Sequence, residues 1–195
     1  MKHVIGIGTG RCGTKSLAHL LNEQEDAFVT HERARQTATH RPNITQLRRA
    51  LAEVEGHALV GDVAMWWLQS VPLFLSLWQD ARVICMKRSK DATVDSWERV
   101  FMNEHGDNLW EVNGGDADFF PPMEGDTIRE SAARYWDHYY AHVEVLREKY
   151  PMRVAVFAMN DLNSLQGRRR IIEHAGIEPT NLSRVHENAG TPKQK

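Results

Sequence analysis

The chain has 195 residues, 42% of them hydrophobic, which is enough to bury a sizeable core, and we expect a single domain over residues 1–195. The formal net charge of −2 argues against binding to nucleic acid or to an anionic membrane, because either partner requires a basic excess. No apolar run reaches the roughly 20 residues of a membrane span, and two cysteines are too few for a disulfide framework, so we expect a cytoplasmic protein.

The first predicted element is a strand over residues 4–7 that runs into a glycine-rich turn over residues 8–13 and then into a helix from Thr14. Glycines let the backbone approach a ligand closely, so successive N–H groups can converge on one anion. The N-terminus of the helix adds the positive end of its dipole, and Arg11 and Lys15 add full charges. The pattern predicts a phosphate-binding loop.

Spacing distinguishes between the known kinds of phosphate-binding loop. In the ATP- and GTP-binding pattern a lysine directly follows the second glycine, but here Lys15 comes one position late after Gly13. The dinucleotide pattern is present in Gly8, Gly10 and Gly13. Its acidic ribose ligand would have to be Glu32, and the two cations of the loop would have no role.

The segment Gly10–Leu17 reads GRCGTKSL and resembles the 5′-phosphosulfate loop of the sulfotransferases, (Pro/Gly)-(Lys/Arg)-x-Gly-Thr-(Thr/Lys)-x-Leu. The resemblance implies that the loop binds 3′-phosphoadenosine 5′-phosphosulfate (PAPS) as co-substrate. The implied donor-binding residues are Gly10, Arg11, Cys12, Gly13, Thr14, Lys15 and Ser16. It also puts Arg11 in the position of the catalytic lysine of the family. Cys12 is interpreted as a small loop residue, with a low-pKa thiolate as the alternative.

Two further strands are predicted to end near this loop. They cover residues 27–30 and 58–60, with a helix over residues 43–54 between them. In a parallel sheet their carboxyl ends share one edge, so His31, Glu32 and Asp62 are candidates for the general base. We favour Glu32, with His31 close behind; histidine has the better intrinsic pKa, whereas a carboxylate needs burial to raise its own.

The next strand, predicted over residues 82–86, leads into the second informative stretch. An arginine at a strand end and a serine two helical turns later can reach one phosphate, and Arg88 and Ser96 have that spacing. The alternative is a solvated basic turn. In sulfotransferases a strand followed by Arg-x7-Ser binds the 3′-phosphate of the donor, so the resemblance implies this role for both residues. Ser89-Lys90 departs from the Asp or Asn and Pro that often follow in the family.

Residues 100–130 contain glycines and prolines that interrupt any periodicity, and their aromatic residues favour a substrate lid. Trp66, Trp67 and Trp110 are candidates for stacking on the acceptor. A helix is predicted over residues 131–150; its His138 and His142 have metal-ligand spacing without an evident third ligand, so no metal is expected. A strand over residues 152–157 and a helix over residues 166–175, closed by Gly176, again resemble the carboxyl-terminal third of sulfotransferases.

The elements together predict a three-layer α/β/α fold with a mostly parallel sheet, which is the P-loop-like fold of sulfotransferases. The implied activity is transfer of a sulfuryl group from PAPS to a hydroxyl or amine of a small-molecule or glycan acceptor. Two alternatives stay open. One is an ATP-dependent small-molecule kinase that uses Asp62 for Mg²⁺, and the other is a non-catalytic nucleotide-binding module.

Overall fold

The strands of the chain form one parallel sheet. The computed structural model describes residues 1–32, 49, 51–52, 56–104, 125 and 127–183. Its five strands are β1 (Lys2–Ile7), β2 (Ala27–His31), β3 (Leu59–Val63), β4 (Arg82–Lys87) and β5 (Val154–Ala158). Their order is β2-β3-β1-β4-β5, and every neighbouring pair is parallel. The glycine-rich turn therefore leaves the central strand of the sheet.

Helical segments connect these strands, as parallel pairing requires. They are α1 (Thr14–Asn22), a 3₁₀ helix (Met65–Ser70), α2 (Val71–Leu77), α3 (Lys90–Glu104), α4 (Ile128–Lys149), a second 3₁₀ helix (Met159–Asn163) and α5 (Leu165–His174). Within the described ranges, no helix combines the length and the apolar character needed to cross a membrane.

Both faces of the sheet are covered, because successive side chains of a strand point to opposite sides. One core contains Ile5 and Ile7 of β1 together with buried residues of α2 and α4, among them Phe74, Tyr135 and Val143. The other contains Val4 of β1 together with residues of α1 and α5, among them Leu17, Leu20, Ile171 and Ile172. The predicted three-layer α/β/α architecture is confirmed.

The carboxyl-terminal elements follow the sequence pattern closely. Helix α5 ends at His174, and Gly176 follows with φ of 88°, a left-handed conformation that glycine adopts without strain.

Of the helix predicted over residues 43–54, the described residues Arg49, Leu51 and Ala52 are helical, and Leu51 is buried. The rest of that predicted helix lies outside the described residues.

Both ends of the interval predicted as a lid, residues 100–130, are helical in the structure. Helix α3 continues to Glu104, since the first glycine of the interval comes only at position 106. Helix α4 begins at Ile128, where the Thr127 hydroxyl caps the helix by accepting a hydrogen bond from the N–H of Glu130 at 3.2 Å. Residues 105–124 and 126, with Trp110, lie outside the described residues, as do residues 184–195.

Candidate active site

The turn between β1 and α1 has an unusual backbone. Gly10 and Gly13 have φ of 73° and 99°, and Arg11, which carries a side chain, has φ of 55°. A left-handed conformation costs most residues about 1–2 kcal/mol, so it persists only where the surroundings fix it. A Cβ at Gly10 would also lie 2.8 Å from the ring of Trp97. The turn is thus held in a strained, closely packed form.

Helix α1 begins at this turn with an electropositive end. Its N-cap residue is Gly13, no side chain caps it, and its first turn contains no acidic residue. Lys15 lies in that first turn and is exposed. A helix N-terminus without a side-chain cap presents backbone N–H groups and the positive end of the dipole to an anion. This geometry fits the phosphate-binding role predicted from the sequence.

Arg11 connects the turn to the second predicted anion site. Its Nε donates a hydrogen bond to Ser96 Oγ in α3 at 3.1 Å. Arg88, which directly follows β4, donates through Nη1 to the backbone oxygen of Arg11 at 3.2 Å. Arg11 and Arg88 are separated by 77 positions in the sequence. The fold therefore gathers both predicted anion-binding segments into one cluster.

The other loop residues differ in how they face solvent. Thr14 and Ser16 are mostly buried, and the side chain of Cys12 is completely buried. Burial raises the pKa of the Cys12 thiol to about 11, so the thiolate alternative is wrong. A Cβ at Gly8 would lie 2.5 Å from Cys12 Sγ, which means that the sulfur packs back against the turn. Only the backbone of Cys12 is left to contact a ligand.

The two favoured base candidates lie beside the loop, at the end of β2. His31 Nε2 is 3.3 Å from Thr14 Oγ1, within hydrogen-bonding distance. Glu32 has φ of 57°, and its N–H donates to the Val63 oxygen at 3.1 Å. Both residues are half-buried. Of the contacts described for these two residues, the one between His31 and Thr14 reaches the phosphate loop.

Asp62 is placed differently from its prediction. We expect it just after a strand, but β3 extends to Val63 and includes it. Its Oδ1 accepts a hydrogen bond from Thr30 Oγ1 at 2.6 Å, and its Oδ2 accepts one from Trp67 Nε1 at 2.8 Å. Asp62 is only 3% exposed, so this carboxylate holds β2, β3 and the following 3₁₀ helix together. The kinase alternative assigns Asp62 to Mg²⁺, but both oxygens of this carboxylate accept hydrogen bonds inside the protein.

Two of the three tryptophans that are candidates for stacking on an acceptor, Trp66 and Trp67, are core residues. Trp66 and Trp67 are 7% and 3% exposed and belong to the core between the sheet and α4. Trp97, which the sequence analysis did not single out, is the aromatic residue packed against Gly10. Its position directly after Ser96 is the signal that could have identified it.

Two tyrosines of α4 also contact the turn. The hydroxyl of Tyr139 accepts a hydrogen bond from the N–H of Gly8 at 2.9 Å. The hydroxyl of Tyr140 lies 3.5 Å from Thr9 Oγ1 and donates to the Met86 oxygen at 2.8 Å. Burial raises the pKa of both phenols, so they remain neutral donors and acceptors. Phenol groups on a buried helix face are the sequence signal, because a buried hydroxyl needs a partner.

His138 and His142 line a small cavity with Gln69 of the 3₁₀ helix. Burial, and to a smaller extent His138, lowers the pKa of His142. In the part of the chain that the structure describes, no group of three or more His, Cys, Asp or Glu residues could hold a metal ion.

No protein-family model matches the chain, and no curated protein sequence matches it. A solved structure does: the crystal structure of a sulfotransferase from Alicyclobacillus acidocaldarius aligns with a TM-score of 0.65. The alignment covers 97% of this chain and 85% of that chain at 15% sequence identity. The chain has a sulfotransferase fold. At this identity the similarity concerns the fold alone, and it agrees with the fold class predicted from the sequence.

Proposed function

We propose that this protein transfers a sulfuryl group from PAPS to a hydroxyl or amine of a small-molecule or glycan acceptor. The observation that carries the proposal is the cluster of Arg11, Ser96 and Arg88. It unites the two segments whose sequences resemble the 5′-phosphosulfate and 3′-phosphate sites of sulfotransferases. The sulfotransferase fold of the chain supports the same assignment.

The chemistry requires positive charge where the donor breaks. When the acceptor oxygen or nitrogen bonds to sulfur, the bond between sulfur and the phosphate oxygen breaks, and negative charge develops on the departing 5′-phosphate. Arg11, Lys15 and the N-terminus of α1 lie around one turn and can stabilise that charge. Arginine carries a permanent charge in proteins, so we assign Arg11 the role of a fixed charge and not that of a proton donor.

The acceptor must also lose a proton, and His31 is the base that the geometry favours. Its ring nitrogen lies within hydrogen-bonding distance of Thr14, at the first residue of α1. An imidazole can accept a proton near neutral pH. Glu32 is the second candidate, because it is half-buried and directly follows His31 at the end of β2.

A thermal-shift experiment tests the assignment without a known acceptor. A ligand present at about 100 times its dissociation constant stabilises the folded state by roughly 2.7 kcal/mol. For a chain of this size we expect 3′-phosphoadenosine 5′-phosphate (PAP) to raise the melting temperature by roughly 5–11 °C. Adenosine 5′-monophosphate (AMP), which lacks the 3′-phosphate, should raise it much less. A larger shift with ATP and Mg²⁺ than with PAP would contradict the proposal and favour the kinase.

A further inference from the structure

The phenol of Tyr139 ties helix α4 to the start of the phosphate loop. Tyr139 is 3% exposed, and its hydroxyl accepts from the N–H of Gly8 and donates to the Met65 oxygen, both at 2.9 Å. Gly8 is itself buried. Without the phenol oxygen the Gly8 N–H would be a buried donor with no partner, which is costly. Tyr139 thus fixes the backbone at the point where β1 turns towards α1.

The same helix is tied to the segment that carries Arg88. Trp136 Nε1 donates a hydrogen bond to the backbone oxygen of Arg88 at 3.1 Å. Lys87 Nζ lies 4.9 Å from the centre of the Trp136 ring and 4.8 Å from that of Tyr140, which are cation–π distances. Tyr140 in turn donates to the Met86 oxygen at 2.8 Å. The chain from Met86 to Arg88 therefore rests on side chains of α4.

We propose that Tyr139 and Trp136 are positioning residues, Tyr139 for the part of the site that binds the 5′-phosphate and Trp136 for the part that binds the 3′-phosphate. The inference rests on the proposed function. Residues three positions apart lie on the same side of a helix, so one rigid element fixes both backbone segments. Helix α4 then sets the distance between the two phosphate sites, although it supplies none of the residues proposed to bind phosphate.

The two roles are separable, because each side chain bonds to a different segment. Loss of the Tyr139 hydroxyl should loosen the loop that binds the 5′-phosphate, which PAP and AMP share. Loss of the Trp136 N–H should loosen Arg88, whose proposed ligand is the 3′-phosphate that PAP has and AMP lacks. Since Arg88 also donates to the Arg11 oxygen, a smaller effect on the 5′-phosphate part of the site is expected as well. A purely structural role would lower stability without changing the affinity for either ligand.

The test is calorimetric titration of wild type, Tyr139→Phe and Trp136→Phe with PAP and with AMP. We expect Tyr139→Phe to weaken both ligands by about threefold to tenfold and to leave their affinity ratio unchanged. We expect Trp136→Phe to weaken PAP by about threefold to tenfold, to weaken AMP less, and so to lower the ratio of the two affinities. Both variants keep an aromatic ring, and Trp136 is partly exposed.

Tyr135→Phe is the matched control. It removes a phenol from the same face of α4, and the Tyr135 hydroxyl donates to Met65 Sδ of the first 3₁₀ helix at 3.9 Å. Its affinities for PAP and AMP should equal those of wild type. If Tyr139→Phe does not fold, the affinity ratio of Trp136→Phe alone decides the proposal.

The outcomes separate the two claims. A wild-type protein that does not bind PAP more tightly than AMP overturns the proposed function and this inference with it. A wild type that prefers PAP, with the same ratio in Trp136→Phe and the same two affinities in Tyr139→Phe, overturns the inference alone. A fall in affinity of the same size in Tyr135→Phe also overturns it, since any loosening of α4 would then suffice.

Discussion

Arg11 has two properties that rarely occur together, a charged side chain and a left-handed backbone with φ of 55°. The hydrogen bonds to Ser96 and from Arg88 hold it from both sides, one through its guanidinium and one through its carbonyl. Strain of this kind concentrates at functional sites, because only a surrounding structure that over-determines the residue can maintain it. Arg11 is therefore held in place by the two residues that we propose for the 3′-phosphate.

Replacing Arg88 tests that assignment. A charge-assisted hydrogen bond contributes roughly 1.5–3 kcal/mol, so Arg88→Ala should weaken PAP binding by about one to two orders of magnitude. Arg88→Lys keeps the charge but loses the bidentate fork, and a smaller loss is expected. Isothermal titration calorimetry measures both.

Lys90→Ala is the control for Arg88, because Lys90 is a basic neighbour whose Nζ is paired with Asp137 of α4 at 2.5 Å. Its PAP affinity should stay close to that of wild type. Equal PAP affinity in Arg88→Ala and wild type would remove Arg88 from the site.

The sequence predicts the role of some single residues and not that of others. The loop residues Gly10–Leu17 could be assigned from sequence because they are contiguous and their spacing is specific. Asp62 could not, because a carboxylate near a strand end has the same sequence pattern whether it faces a ligand or a tryptophan N–H. Cys12 likewise lies between two residues of the loop, Arg11 and Gly13, and only the fold reveals that its side chain is buried.

At the scale of elements, the turn between β1 and α1 is locked against α3. A side chain at Gly10 would meet the ring of Trp97, so the close approach of turn and helix depends on this glycine. Gly10→Ala adds a steric clash of about 1–3 kcal/mol to the strain of a left-handed alanine. We expect a lower melting temperature and a loss of PAP affinity, measured by thermal denaturation and calorimetry.

Gly56 offers a matched comparison for Gly10. Its φ of 109° is also left-handed, but a Cβ there would meet nothing within 4 Å. Gly56→Ala should therefore show the backbone strain alone, with a smaller fall in melting temperature and unchanged PAP affinity. If Gly10→Ala is no worse than Gly56→Ala in both measurements, the packing of Trp97 against the turn does not matter for binding.

The five strands and the helices α1, α3, α4 and α5 could be predicted because each is encoded locally, by an apolar run or by periodic apolar residues. The support given by α4 could not. Tyr139 and Gly8 are 131 positions apart, and no local sequence pattern indicates that these two residues are in contact. The order of the strands brings them together, which is a property of the whole sheet.

At the scale of the molecule, the site lies where the direction of the connections changes. From β1 the chain passes through β2 to β3 on one side, and then crosses to β4 on the other side of β1. Parallel α/β sheets bind ligands outside the carboxyl ends of the strands at such a point, because the flanking connections leave a crevice there. Arg11 after β1 and Arg88 after β4 border that crevice.

The stability of the whole molecule should depend on pH through two half-buried imidazoles, those of His174 and His142. Burial lowers the pKa of His174, whose Nε2 lies 3.2 Å from the Val83 oxygen, and burial also lowers that of His142. In the unfolded chain a histidine has its ordinary pKa, about 6.5, so below that pH the unfolded state binds more protons than the folded state. The stabilisation is complete above about pH 6.5 and decreases as the pH falls through the lowered pKa values.

We therefore expect the melting temperature to fall between pH 7.5 and pH 5.5, and to fall less in His174→Gln than in wild type. The change of melting temperature with pH, and not its value at one pH, is the measurement, because the substitution also removes the packing of His174 against Phe157. His19→Gln is the control, since His19 lies on the exposed side of α1. If His174→Gln and His19→Gln have the same pH dependence as wild type, the half-buried imidazole of His174 does not contribute to acid sensitivity.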